Sequence, residues 1–370
     1  MEADQTKNIV WRIIPFIDCL QKTKIVRAKQ VKEKDYLNFG EYPIVDQGQS
    51  FIAGYTNDKA KVISDIQPFI IFGDHTRILK YVDFPIALGA DGTKIIKPNR
   101  DFDTKFFFYF LKYLDIPSRG YNRHYKSLKE KDIIQPELIE QKAIARVLTN
   151  VQEAIAGQEE LIAKLKDLKR SMMQHLFTHG TKGEKTKKTE IGEIPESWEV
   201  VSLGKICEFE YGKNLTKQNR VSGDVPVYGS NGVVGYHNQA IVALPGIIIG
   251  RKGSAGLLHF SEVAFCPIDT TFYITQNETE LDIKFLFYLL ERLDLTRLTA
   301  DVGVPGLNRE MAYREIIAYP KDANAQKEII NSVGGIEERI KAAKNKLASY
   351  QNLFKTLLHE LMSGAKKVEI

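Results

Sequence analysis

Residues Gln326–Met362 read QKEIINSVGGIEERIKAAKNKLASYQNLFKTLLHELM, and their spacing decides the architecture. Ile329, Val333, Ile336, Ile340, Ala343, Leu347, Tyr350, Phe354, Leu357 and Leu361 follow one another at alternating steps of four and three. Such an unbroken apolar seam predicts one long helix that buries its stripe against a second helix. Subtracting 185 from each number returns the pattern: Ile144, Leu148, Val151, Ile155, Gln158, Ile162, Leu165, Lys169, Met172 and Leu176. Only Gln158 and Lys169 interrupt it; they either set the register or mark a place where the pair loosens. Each seam covers 33 residues, a span of about 50 Å at ~1.5 Å per residue.

The repeat extends beyond the helices, and a period of about half the chain defines the whole fold. Trp11-Arg-Ile-Ile-Pro-Phe matches Trp198-Glu-Val-Val-Ser-Leu, and Pro43-Ile-Val with Asp46-Gln-Gly matches Pro226-Val-Tyr with Ser230-Asn-Gly. Gly54-Tyr55 matches Gly235-Tyr236, and Phe69-Ile-Ile-Phe-Gly matches Ile247-Ile-Ile-Gly. Phe102-Asp-Thr-Lys-Phe-Phe-Phe-Tyr-Phe-Leu matches Leu281-Asp-Ile-Lys-Phe-Leu-Phe-Tyr-Leu-Leu. The expectation is an α+β chain with two globular modules and two long helices that pair as a coiled coil. The modules are placed at 1–137 and 181–322, the second opening with a charged linker at 181–190, and the helices at 138–180 and 323–370. Within the modules, short apolar runs such as Phe51–Tyr55 and Ile95–Lys97, broken by Gly, Asp and Asn, predict strands and turns. Asp103 is a suitable N-cap for a helix over Phe106–Leu114, whose aromatic run reads as core rather than as a base-stacking platform.

Composition narrows the function classes. The 27% of charged and 43% of hydrophobic residues are those of an ordinary soluble chain. Cys19, Cys207 and Cys266 lack a CxxC spacing, so zinc ligation or a disulfide framework is not expected and a reducing cytoplasm fits. The opening MEADQTKNIVWRII lacks the layout of a signal peptide, and no apolar run nears the ~18 residues of a membrane helix. The net charge of +5 lies in the first half, where 28 Lys and Arg up to Gly180 face 23 Asp and Glu. Much of that excess falls between Lys22 and Lys34. Mild basicity permits nucleic-acid binding without requiring it.

Motifs of catalysis are missing. The sequence has no Walker A loop, no GxGxxG opening a helix, no HExxH and no Asn-Pro-Pro or Asp-Pro-Pro base-holding tetrapeptide. Pro267-Ile-Asp269 followed by Asp282-Ile-Lys284 loosely resembles a Mg²⁺ nuclease. Asp282 and Lys284, however, sit where a helix should open, mirrored by Asp103 and Lys105, and no metal site is assigned.

What remains are polar loop clusters at corresponding places of the two modules. In the second these supply Tyr228, Ser230, Asn231, Arg251, Lys252, Ser254, Thr270, Thr271, Asn308 and Arg309. In the first they supply Gln47, Gln49, His75, Thr76, Arg77, Asn122, Arg123 and His124, with Asp91-Gly92 beside them. Arg and Lys reach guanine edges or phosphates, Asn and Gln pair with adenine, and Ser or Thr touches either. The same residue types also simply make turns.

The second-module phrases Ile191-Gly-Glu-Ile-Pro-Glu-Ser-Trp-Glu-Val-Val-Ser-Leu-Gly, Val227-Tyr-Gly-Ser-Asn-Gly, Gly250-Arg-Lys-Gly-Ser-Ala-Gly and Asp269-Thr-Thr resemble specificity subunits of type I restriction–modification enzymes. Tyr42-Pro-Ile-Val-Asp-Gln-Gly and Ala53-Gly-Tyr-Thr-Asn resemble that family's first module. The first module departs in having Gly73-Asp-His-Thr-Arg77 in place of Gly-Arg-Lys-Gly-Ser. The resemblance implies two target-recognition domains held apart by an antiparallel pair of helices, each domain reading half of a split double-stranded DNA site, with the helices measuring a spacer. About 50 Å corresponds to ~15 base pairs at 3.4 Å each. It also implies a non-catalytic chain with no cofactor of its own. Two copies of a modification subunit would carry S-adenosylmethionine, and a restriction–translocase subunit would use ATP and Mg²⁺. A coiled-coil adaptor and a single-chain nuclease are the alternatives from other classes.

Overall fold

The computed structural model describes residues 11–21, 30–90, 92–118, 120, 122–299 and 306–369. The basic segment from Lys22 to Lys29, Asp91, Arg119 and Tyr121 lie outside these. The helices of the described residues are α1 (Thr104–Tyr113), α2 (Tyr125–Lys129), α3 (Leu138–His179), α4 (Ile283–Leu293), α5 (Arg309–Arg314) and α6 (Ala323–Met362). The two seams are thus single uninterrupted helices of 42 and 40 residues. Every seam position on both is buried or half-buried, as the repeat of four and three requires. Gly180, in the left-handed region at φ +69°, stops α3.

The chain forms two compact units, residues 1–159 with 345–370, and residues 160–344. In the first, Ile144 and Leu148 near the start of α3 share a core with Leu361 and Met362 at the end of α6, Phe354 and Leu357 packing beside them. In the second, Met173, Leu176 and Phe177 near the end of α3 share a core with Ile329 and Val333 near the start of α6. Within each unit the start of one long helix therefore meets the end of the other, which makes the pair antiparallel.

Among the described residues, the modules share six strands in the same order. In the first, one sheet orders Gly54–Thr56, Tyr42–Val45, Ile86–Leu88 and Val62–Ile63; another orders Leu79–Val82, Phe69–Gly73 and Thr93–Ile96. In the second, the corresponding sheets order Gly232–His237, Val225–Gly229 and Cys266–Pro267, then Glu210–Tyr211, Thr271–Thr275, Gly246–Gly250 and Leu258–Ser261. The central strands Phe69–Gly73 and Gly246–Gly250 are buried at every residue, so both faces are covered and their apolar runs do not alternate. Register is preserved too, since Gly73 pairs with Thr93 and Gly250 with Thr271.

Each module is tied to its long helix by the same buried amide. Gln141 accepts from the Asp103 N–H (2.8 Å) and donates to the carbonyls of Asp101 and Pro136. Gln326, 185 residues later, accepts from the Asp282 N–H (3.1 Å) and donates to Pro320. Both amides are buried and satisfied at both ends, as burial demands. Asp103 and Asp282 then cap α1 and α4 through their carboxylates. Lys284 pairs with Glu337 (3.3 Å). Asp282 and Lys284 therefore serve the helix start and its packing, and no nuclease-like constellation assembles around them.

Lys169 marks no loosening. Its ammonium lies 2.7 Å from Glu291 on α4 and 2.9 Å from Glu337 on α6, while Glu337 also accepts from the Tyr288 hydroxyl (2.7 Å). The matching place in the first unit is apolar. Phe354 stands where Lys169 does, edge-on to Tyr109 at 6.0 Å between ring centroids, and Tyr109 bonds Thr149 instead. Gln158 is buried in the seam.

Two expectations need correction. The supposed linker at 181–190 is half a hairpin: Thr186–Thr189 pairs with Gly192–Pro195, and Lys187 donates to the carbonyls of Glu196 and Trp198. Its charges mask the pairing because a two-stranded ribbon leaves most of its side chains in water. The strand expected at Phe51–Tyr55 is shortened to Gly54–Thr56, with Phe51 and Ile52 exposed. Phe106–Phe110 is buried core, as its helical context predicts.

Candidate nucleic-acid interface

The polar clusters converge where the central strands end. In the second module one carbonyl, that of Thr270, accepts from the Arg251 N–H (2.8 Å), the Lys252 N–H (3.1 Å) and the Ser230 hydroxyl (2.6 Å). The Arg251 carbonyl in turn accepts from the Leu307 N–H at 2.9 Å. Four segments far apart in sequence are joined in this way. The loop after Gly250 is tight enough to need glycine: a Cβ at Gly250 would stand 2.1 Å from the Ser254 carbonyl oxygen, and Gly256 sits at φ +80°.

The first module uses the same skeleton. The Asp74 N–H donates to the Gly92 carbonyl (2.7 Å), and the Asp74 carbonyl accepts from the His124 N–H (2.8 Å). Asp74 thus stands in the backbone position of Arg251. Its side chain is spent inward, accepting from the Tyr125 N–H at 2.9 Å and lying 3.9 Å from the Lys94 ammonium. In the second module Asn308 does that capping itself, accepting from the N–H groups of Glu310 and Met311. One acid at the head of a loop is therefore a cap supplied from a distance, and one arginine there is left for other work.

Asp74→Ala should lose that cap and leave the N–H of the half-buried Tyr125 unpaired, lowering stability by about 1–3 kcal/mol. Asp74→Asn keeps the accepting oxygen and should cost clearly less. Denaturant unfolding of the two variants decides it; equal losses would mean that the charge beside Lys94, not the cap, matters.

The candidates fall into two groups. Ser230, Thr271 and His124 are buried; Thr271 donates to the Ile268 carbonyl (2.8 Å), and His124 Nδ1 lies 3.0 Å from the Asp74 carbonyl. They shape the loops rather than face outward, whereas Asn308 is exposed and spends only its side-chain oxygen on the α5 cap. The Thr76 hydroxyl is held by the Gln47 carbonyl (2.7 Å), and the Gln47 side chain by the His75 N–H (3.1 Å). Arg77, in the left-handed region at φ +61°, donates to the Ile116 carbonyl. Tyr228 is half-buried and edge-on to Phe265.

Gln49, Thr76, Arg77, Asn122, Arg123, Asn231, Lys252 and Asn308 are exposed, while Ser254, Thr270, Arg251 and Arg309 are half-buried. Arg251 and Arg309 are braced by aromatic rings, above all that of Tyr211, which sequence reading passed over. A tyrosine in the two-residue strand Glu210–Tyr211 carries no pattern of its own. Lys80 was also missed. It lies on the inner face of Leu79–Val82, where burial pushes its ammonium below the usual lysine value although Asp46 stands 3.7 Å away. It donates to the Ser50 carbonyl and so shapes the loop carrying Gln47 and Gln49.

Residues 22–167 and 195–348 each match the family model of the type I restriction modification DNA specificity domain. The chain belongs to that family. It is 26% identical over 319 residues to the type I restriction enzyme MjaVIII specificity subunit of Methanocaldococcus jannaschii, covering 76% of this chain and 75% of that one. A shorter stretch, 23% of this chain and 22% of the relative, is 34% identical to the EcoR124I/EcoR124II specificity subunit of Escherichia coli. Among solved structures, a type I restriction–modification S subunit from M. genitalium shares the fold, with TM-score 0.69 over 97% of this chain and 98% of that one, at 20% identity. A specificity subunit with two tandem domains accounts for loops that repeat in backbone but differ in side chain. Among the described residues, no helix is long and apolar enough to cross a membrane.

Proposed function

We propose that this chain selects the DNA sequence for a cytoplasmic type I restriction–modification enzyme, each module contacting one half of a split site while the paired helices set the spacer. It would scaffold two modification subunits, which bring S-adenosylmethionine and methylate adenine, and a restriction–translocase subunit that uses ATP and Mg²⁺. Chemistry then belongs to the partners, and this chain contributes position and choice of base.

The observation that carries the reading is the shared loop skeleton. Thr270 and Gly92, and likewise Arg251 and Asp74, make the same main-chain bonds with different side chains. A fixed frame with exchangeable polar groups suits sequence readout, where base-edge contacts specify and backbone contacts only position. A pure coiled-coil adaptor has no use for two such frames.

The test is to co-express the chain with its modification subunit and map N6-methyladenine across the host genome at single-base resolution. Two short specified blocks around a fixed unspecified gap are expected. A verified complex that adds no methylation would remove the reading and favour the adaptor.

A further inference from the structure

We propose that Tyr211 is a positioning residue that braces Arg251 and Arg309 into a two-arginine clamp for a DNA phosphodiester. The inference rests on the DNA-reading role proposed above.

The ring of Tyr211 lies 5.0 Å from the Arg251 guanidinium and 5.2 Å from that of Arg309, measured to its centroid. Each arginine has a second ring: Phe272 at 5.8 Å from Arg251, and Tyr313 at 5.7 Å from Arg309. Each also has one nitrogen tied to a main-chain carbonyl, Arg251 to Asp269 and Arg309 to Phe209, both at 3.2 Å. Among the described residues the other guanidinium N–H groups make no further hydrogen bond, and a guanidinium has five donors.

Two cations gathered on one ring repel each other. Among the described residues the carboxylate paired with them is Glu310, 3.7 Å from Arg309; it is itself 68% exposed and so offsets little. Such an arrangement is stabilised by an anion, and a phosphodiester offers oxygens to both forks at once. Tyr211 is 48% exposed. It is not a core residue that happens to touch two arginines. Its neighbour Gly212 fixes it from behind: a Cβ there would stand 2.0 Å from the Ile268 carbonyl oxygen, so the strand carrying Tyr211 lies hard against the 268–271 loop. The clamp is therefore built into the same frame as Thr270, at the edge of the loops that choose bases.

The experiment measures binding of the assembled complex to a duplex carrying its mapped motif, over a range of salt concentrations, for wild type, Arg251→Ala, Tyr211→Leu and Tyr211→Phe. Tyr211→Leu is expected to bind about 5- to 30-fold more weakly, the worth of two exposed cation–π contacts. The slope of log affinity against log salt should become shallower by up to about 1, since one lost phosphate contact removes ~0.9. Arg251→Ala should lose a comparable amount. Tyr211→Phe keeps the ring and should restore most of the affinity and the slope. The recognised motif should not change.

An unaltered salt slope with a relaxed motif would overturn the clamp and make these arginines base readers. Equal losses for Tyr211→Phe and Tyr211→Leu, or a fall in melting temperature that tracks the affinity, would make Tyr211 a merely structural residue and overturn it too. Failure of the wild-type complex to prefer its motif would instead sink the DNA-reading role itself.

Discussion

Exchanging residues 191–320 for the second module of another specificity subunit should replace one half of the recognised motif and leave the other half unchanged. The modules keep their cores on separate sets of residues, and each presents its own loop frame. With each wrong base pair costing about 1–3 kcal/mol, a half-site of roughly three specified pairs corresponds to ~10²- to 10⁶-fold discrimination against the old motif. Methylation mapping of the chimera reads it directly. A change in both halves would end the modular picture. The graft must also satisfy three contacts at its boundary: a carboxylate at 282 to cap α4, a free N–H there for Gln326, and an acid at 291 for Lys169.

The second large effect concerns stability. Glu337→Ala leaves Lys169 with Glu291 alone, takes the counter-charge from Lys284 and orphans the Tyr288 hydroxyl. Breaking a buried ion pair costs about 3–5 kcal/mol; these side chains keep 15–26% exposure, so about 1–3 kcal/mol is expected. Thermal unfolding of the full chain should show a drop of several degrees.

The pH dependence has a definite sign. Burial pushes the Glu337 carboxyl up, but hydrogen bonds from Lys169 and Tyr288 and the nearby lysine charges outweigh it and hold it below the usual glutamate value. A depressed carboxyl stabilises above its unfolded value and loses that contribution as pH falls through the folded one. Burial likewise pushes Lys169 down, yet bonds to Glu291 and Glu337 leave it raised, so its share is lost only as pH climbs past the lysine range. Wild type should therefore lose more stability than Glu337→Gln on acidification below about pH 5. Parallel acid profiles would show that the network contributes packing and no charge.

Lys169 shows where one-dimensional reading stops. Its place in the heptad is plain, and a polar residue at such a position announces some special role. The role depends on Glu291 and Glu337, 122 and 168 positions away, and on Phe354 taking the equivalent place in the other unit. Seam arithmetic contains none of that.

The repeat, the two long helices, their mutual burial and the α+β modules were legible because they follow from periodicities that survive in any tertiary context, whereas the antiparallel direction was implied by the family resemblance alone. A stripe every 3.5 residues must be buried along its length, and one matched copy supplies the partner. The loop clusters were legible as composition alone. Gly, Asn, Asp, Ser and Arg mark turns and ligand-facing loops alike, so sequence could gather Ser230, Arg251, Thr271 and Asn308 without ranking them. Tertiary structure did the ranking: hydrogen-bond geometry consumes Ser230, Thr271 and His124 within the protein, ties the oxygen of the exposed Asn308 to a helix start, and leaves Arg251 and Arg309 stacked on a tyrosine that no pattern singles out. Local order is written in spacing between neighbours. Which polar group is satisfied inside and which is left for DNA is decided by atoms that come together only when the chain has folded.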